Sequence, residues 1–256
     1  METYQPNYSL TADTVLPSSA FASGRLRAQL AVVMLGVMVA VDLVSVVVNS
    51  AFAGQLMGFA DQSAVYELGD DVSVSEILIA IFGLLYLLVF ILTVVAFLMW
   101  LHRAYRNLRA LTTAPLEASP GWAVGYWFIP FVNLVRPYQI VKETWSRSDP
   151  ARDTSGTFLS SEPMRSTSLL GVWWGFWLPY NILGNISGRL TWRAETVGDY
   201  LTATWFDIAS SVFGIVAGAC AILVVRQINE MQETKARRHV PVGPPPPPAS
   251  FTEPAL

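Results

Sequence analysis

Apolar positions along this chain gather into long runs broken by polar stretches. Three runs, 28–48, 77–99 and 203–225, reach the roughly 20 residues needed to cross a hydrocarbon core of about 30 Å, and each predicts a transmembrane helix. A fourth run, 168–187, has the same length but is studded with Gly, Trp and Asn and holds Pro179. It is predicted as a further span, because membrane helices tolerate such residues where neighbouring helices satisfy the freed backbone groups. The first run follows Arg25 and Arg27 and ends near Ala51-Phe52-Ala53, which imitates a secretory signal. A signal core is only about 7–15 residues long, so a retained span is expected.

Orientation follows from where Lys and Arg fall, since cytoplasmic loops carry their excess. With both termini and the long middle loop inside, 14 of the 16 basic residues are cytoplasmic. The loop between the first two runs has no basic residue and carries Asp61, Glu67, Asp70, Asp71 and Glu76. Ser73 and Glu76 have capping-box spacing at the start of the second span.

The stretch 122–135 is apolar but short. As a helix it spans about 21 Å, less than the membrane core. Pro130 interrupts it, and basic residues flank it on both sides: Arg103, Arg106 and Arg109 before, Arg136 and Lys142 after. The expectation is a re-entrant or interfacial segment entering from the cytoplasmic side, anchored by Trp122, Tyr126 and Trp127 at headgroup level. A fifth crossing is the alternative. The predicted fold is therefore an all-α integral membrane protein with four transmembrane helices, a dipping segment over 119–145, and cytoplasmic N and C termini. Residues 1–24 and 231–256 are predicted to be disordered tails flanking a membrane domain at 25–230.

Composition agrees with this pattern: 53% of the 256 residues are hydrophobic and 14% charged, against about 25% charged in soluble domains. One cysteine, Cys220, excludes an internal disulfide, and two distant histidines, His102 and His239, offer no metal cluster with it. The net charge of -3 gives no general attraction to nucleic acid. No cofactor is expected.

Candidate chemistry lies in two places. Carboxylates within membrane helices cost about 2.5–3.5 kcal/mol on insertion scales, so Asp42 and Asp207 are candidate functional residues. Asn181 and Asn185 share one face of the third span at a similar depth. Together the four predict an outward-facing polar site, the alternative being interhelical hydrogen bonding alone. On the cytoplasmic side Arg103, Arg106 and Arg136 are candidate contacts for anionic lipid phosphates, each basic residue contributing about 1 kcal/mol at an anionic surface. Asn107 and Asn133 are expected to satisfy the broken backbone of the loop. Ser210, Gly214 and Gly218 form a small-residue stripe predicted to pack within the molecule, with an oligomeric contact as its alternative use. Tyr86, Thr93 and Trp100 form a second packing stripe. Glu143, Asp149 and Asp153 make a loose acidic cluster expected to be solvated surface charge. Pro244 and Pro248 bound a run of five prolines, a polyproline-II ligand for a cytoplasmic protein partner or a stiff spacer.

Two strings carry a resemblance. One runs Trp100, His102, Arg103, Tyr105, Arg106, Asn107, Leu108; the other runs from Ser119 through Gly125, Trp127 and Pro130 to Asn133, Arg136, Pro137, Tyr138, Gln139, Glu143 and Trp145. With the aromatic-rich third span, they resemble a bacterial family of polytopic membrane proteins known only as a domain of unknown function. Tyr126 and His102 depart mildly from its pattern. The resemblance covers roughly residues 25–228 and implies a multi-pass protein of the bacterial inner membrane, with no established activity, cofactor or catalytic residue. No nucleophile elbow, phosphate loop or zinc-protease motif occurs. The expected function is therefore a non-enzymatic scaffold recruiting cytoplasmic partners or lipids, and the alternative a small transporter, channel or solute sensor around Asp42 and Asp207.

Overall fold

The computed structural model describes residues 21–60, 74–112, 114–152 and 166–238. All regular structure within them is helical: α1 (Arg25–Ala60), α2 (Val74–Leu111), α3 (Pro120–Gly125), α4 (Arg136–Ser148), α5 (Ser168–Thr191) and α6 (Val197–Arg238), with short 3-10 turns between α3 and α4 and after α4. Arg25–Gly58, Ile81–Leu111 and Val197–Arg238 are long and apolar enough to cross a membrane. α5 is not among these three. Its 24 residues give about 36 Å of helix, and its Trp, Asn and Pro179 content lowers its apolarity.

The helices overrun the apolar runs that predicted them. α1 continues to Ala60, past the span end at 48. α6 continues to Arg238, beyond the expected domain edge at 230; residues 231–238 are helix, and Met231, Gln232 and Lys235 within them are buried. The reason is side-chain pairing at this end of α6, described below, which composition does not reveal. The polyproline run, the acidic residues from Asp61 to Asp71, Ser73, and Asp153 lie outside the described residues.

α6 is the axis of the molecule, packed along α1 on one side and α5 on the other; α2 leans on α1 and touches α6. The close packing of α6 rests on its small residues. A Cβ on Gly214 would stand 2.8 Å from Asp42 Oδ2 and from the Tyr180 ring, and one on Gly218 would stand 2.5 Å from Val39 Cγ2. Ser210 Oγ donates to the Tyr180 carbonyl at 3.0 Å. The small-residue stripe thus faces α1 and α5 of the same chain. Thr93 on α2, also buried, donates to the Met34 carbonyl of α1 at 3.2 Å.

The core is apolar, as in a water-soluble bundle, but so is much of the exterior. Val33, Val44, Val47, Leu84, Leu87, Leu88 and Ile91 are exposed along α1 and α2, a continuous apolar surface far larger than soluble monomers display. The polar residues Asp42, Ser45, Asn107, Thr144 and Gln232 are interior. This arrangement is stable only where lipid tails cover the outside, so the class of molecule is a helical membrane protein.

Candidate functional site

At the end of the bundle where α2 stops and α6 ends, the signature residues hold the fold together. α3 is capped by Ser119, whose Oγ accepts from the Trp122 N–H, with Pro120 in the first turn. The chain then passes through the 3-10 turn 126–128, reverses around Pro130 and Phe131, and returns through the turn 132–134 into α4. Phe131 adopts φ 63, ψ -38, a strained conformation for a residue with a Cβ, and its ring is 85% exposed. Both ends of this excursion are tied to one carboxyl group. Glu143 on α4 accepts the Tyr105 hydroxyl at 2.6 Å and the Glu117 N–H at 3.1 Å, while the Ala118 N–H donates to Tyr105 Oη at 3.0 Å. Glu143 and Asp149 are buried, which corrects the expectation of a solvated acidic cluster: desolvation of the Glu143 carboxyl is compensated by aimed donors.

Asn107 is almost wholly buried. Its Nδ2 donates to the Ala22 carbonyl at 3.0 Å and to Gln232 Oε1 at 3.3 Å. Gln232 Nε2 in turn donates to the Ala104 carbonyl at 2.8 Å and to Ser148 Oγ at 3.0 Å. These bonds join the N-terminal approach, α2, α4 and the end of α6. Arg103 Nε also donates to the Ala22 carbonyl, at 3.1 Å. Arg136 reaches Gln139 at 3.1 Å, Glu117 at 3.7 Å and the face of Tyr126 at 5.7 Å. Of the expected phosphate contacts, Arg106 is exposed, whereas Asn107 is committed to the fold. Asn133 is half-buried in the returning turn, where its backbone N–H donates to the Ile129 carbonyl at 3.0 Å.

Above this layer lies an aromatic one. Trp127, at the tip of the excursion, packs edge-on against Trp174 and Trp177, with ring centroids 6.2 and 5.6 Å away, and against Phe97 at 5.4 Å. Trp174 and Trp177 stack at 4.5 Å, and Trp174 Nε1 donates to the Leu134 carbonyl at 3.1 Å.

Beyond the tryptophans a cavity of about 140 Å³ opens in the centre of the bundle, walled by Phe97, Trp127, Trp173 and Trp177 toward one end and by Tyr180 and Asp42 toward the other. Asp42 is 1% exposed. Tyr86 Oη donates to its Oδ1 at 3.4 Å and stands 3.2 Å from Tyr180 Oη. Two helical turns further along α1, Asn49 Nδ2 donates to Asp207 Oδ2 of α6 at 2.6 Å. Asn49, Asp207 and Tyr86 face a wider cleft of about 930 Å³ between α1, α2, α5 and α6. Tyr86, which lines the cleft, thus bonds to Asp42 and Tyr180, which line the cavity. Among the described residues no Lys or Arg lines either space.

Of the four residues expected to share a polar site, Asp42 and Asn181 line the cavity and Asp207 lines the cleft. Asn185 is exposed and donates to the Asn181 carbonyl of its own helix at 2.8 Å, just as Asn181 donates to that of Trp177. Sequence reasoning missed Tyr86, Tyr180 and Asn49. Tyr86 was legible as part of a packing stripe; its pairing with Asp42 depends on how α2 meets α1, which periodicity does not state. Pro179 precedes Tyr180 and deprives the Gly175 carbonyl of its usual helical donor, interrupting α5 at the depth of the cavity.

The fold and these interior polar groups define an all-helical membrane protein. Residues 67–230 match the family described as Domain of unknown function (DUF4328), and the chain belongs to that family. The match takes in α2 to α5 and most of α6, with Tyr86, Tyr180, Asp207 and Gly214, and leaves out α1 with Asp42 and Asn49. No curated protein and no solved structure matches the chain.

Proposed function

We propose that this protein crosses the membrane four times, through α1, α2, α5 and α6, with both termini in the cytoplasm of a bacterial cell, and that its bundle binds a small solute for transport or sensing. α5 counts as the fourth crossing because it runs beside α6 and is long enough, at about 36 Å. The 119–145 segment leaves and returns to the same Glu143 anchor, which supports an excursion rather than a fifth crossing. Reporter fusions test this topology: extracellular signal after Gly54 and Arg193, cytoplasmic signal after Pro115 and Arg238. An extracellular signal after Arg238 overturns it.

One observation carries the binding reading. A carboxyl group almost fully buried, at the wall of a central cavity without a cationic partner in that wall, is costly unless it serves a ligand or an ion. Mass spectrometry of small molecules retained by the protein in lipid nanodiscs, compared with Asp42→Asn and the cavity-filling Ala217→Phe, tests it. A retained solute lost in both variants supports the reading. The same small-molecule profile in all three proteins overturns it.

A second reading, recruitment of lipids or partners at the cytoplasmic face, is favoured by exposed Trp122, Phe128 and Phe131 beside exposed Arg106, Arg109 and Lys142. Rings at headgroup depth with cations alongside suit anionic lipid. It predicts weaker retention of anionic lipid when Arg106 and Arg109 are replaced by Gln. Unchanged retention removes it.

A further inference from the structure

Resting on the solute-binding reading, we propose that the central cavity binds a small organic cation, with Asp42 as its counter-charge and the aromatic rings as its cage.

The argument is one of complementarity. Trp127, Trp173, Trp177, Phe90, Phe97 and Tyr180 line the space, and aromatic faces attract cations through the ring quadrupole, most strongly for tryptophan. Among the described residues Asp42 is the only acidic one in the wall, and no basic one lines it. An anionic guest would meet aromatic faces and a carboxyl group with no basic residue to offset them. A metal ion would find a single carboxyl oxygen pair, Asn181 and hydroxyls already engaged with one another, and no group of three metal-binding side chains occurs among the described residues. An alkylated ammonium group satisfies both features at once, presenting apolar methyl groups to the rings and a positive charge to the carboxyl group.

Size narrows the class further. A cavity of about 150 Å³ accommodates a benzene-sized guest, so the 140 Å³ here suits a tetramethylammonium or choline head rather than a bulky dye. On the cleft side of the cavity Tyr86 and Tyr180 meet, and the Asn49–Asp207 pair places a second acid in the cleft. Gly214 makes this arrangement possible, since any larger residue would press on Asp42 and Tyr180 together.

The test is quenching or enhancement of intrinsic tryptophan fluorescence in the full-length protein in nanodiscs, titrated with tetramethylammonium, choline and 3,3-dimethylbutan-1-ol, the uncharged carbon analogue of choline. The expected result is saturable binding of both cations, at least about tenfold tighter than the neutral analogue, with that discrimination lost in Asp42→Asn. The comparison of charged and neutral ligands on the unaltered protein stands even where the variant fails to fold. Equal affinity for choline and its neutral analogue overturns the cation assignment while leaving solute binding in place. No saturable signal with any of the three overturns the assignment outright, and the retained-solute experiment then decides separately whether the cavity binds anything.

Discussion

Two buried carboxyl groups illustrate how differently a single residue type is used at the two ends of this bundle. Glu143 accepts from Tyr105 and from the Glu117 N–H and ties down the 119–145 segment; Asp42 has one long hydrogen bond among the described residues and a cavity beside it. Substitutions should separate these roles. Tyr105→Phe leaves Glu143 Oε2 and the Ala118 N–H without their partner, so a loss of about 1–3 kcal/mol is expected, read as a lower denaturation midpoint of the detergent-solubilised protein. Gly214→Ala forces a methyl group to within 2.8 Å of Asp42 and Tyr180, and overpacking of this kind lowers stability by about 1–3 kcal/mol. It should also weaken ligand binding, whereas Tyr105→Phe should not. Equal effects of both variants on binding would contradict the separation.

At the scale of the element, α6 is the helix whose end was misjudged. The apolar run stops near 225, yet Gln232 joins α2 to α4, and Lys235 Nζ donates to the Arg147 carbonyl at 3.2 Å. A chain ending after Arg238 should keep its thermal midpoint, and one ending after Met231 should lose several degrees or fail to accumulate, because it leaves Asn107 and Ser148 short of partners. Identical melting of the two truncations would show that this polar layer contributes little. That 119–145 does not form one continuous crossing helix was legible from its short apolar stretch and its proline; the structure breaks it into α3, two 3-10 turns and α4. That Glu143 closes it was not legible, since a glutamate in a basic loop reads as solvated until its neighbours are known.

For the whole molecule, orientation depends on charge asymmetry across the bilayer. The 49–76 segment carries no Lys or Arg, so in the proposed topology replacing Asp61, Asp70 and Asp71 by Lys together should raise the fraction of chains inserted in the opposite orientation, seen as a cytoplasmic reporter signal after Gly54. A fully extracellular signal in that variant would mean that the later helices set orientation.

Length and composition of the apolar runs were enough to determine a helical membrane protein, because the bilayer itself imposes a minimum span and forbids unsatisfied backbone. The strings around Trp100 and Ser119 were enough to determine the family. Asp42 and Asp207 stood out for the same reason, since charge is rare in such runs. Which of these polar residues meet was decided only by the tertiary structure. The bond from Tyr86 to Asp42, the pairing of Asn49 with Asp207 and the turning away of Asn185 depend on the rotation of each helix about its axis, and that rotation is fixed by close contact at Gly214 and Gly218. A run of apolar residues gives a helix its length; only its neighbours decide which face looks inward.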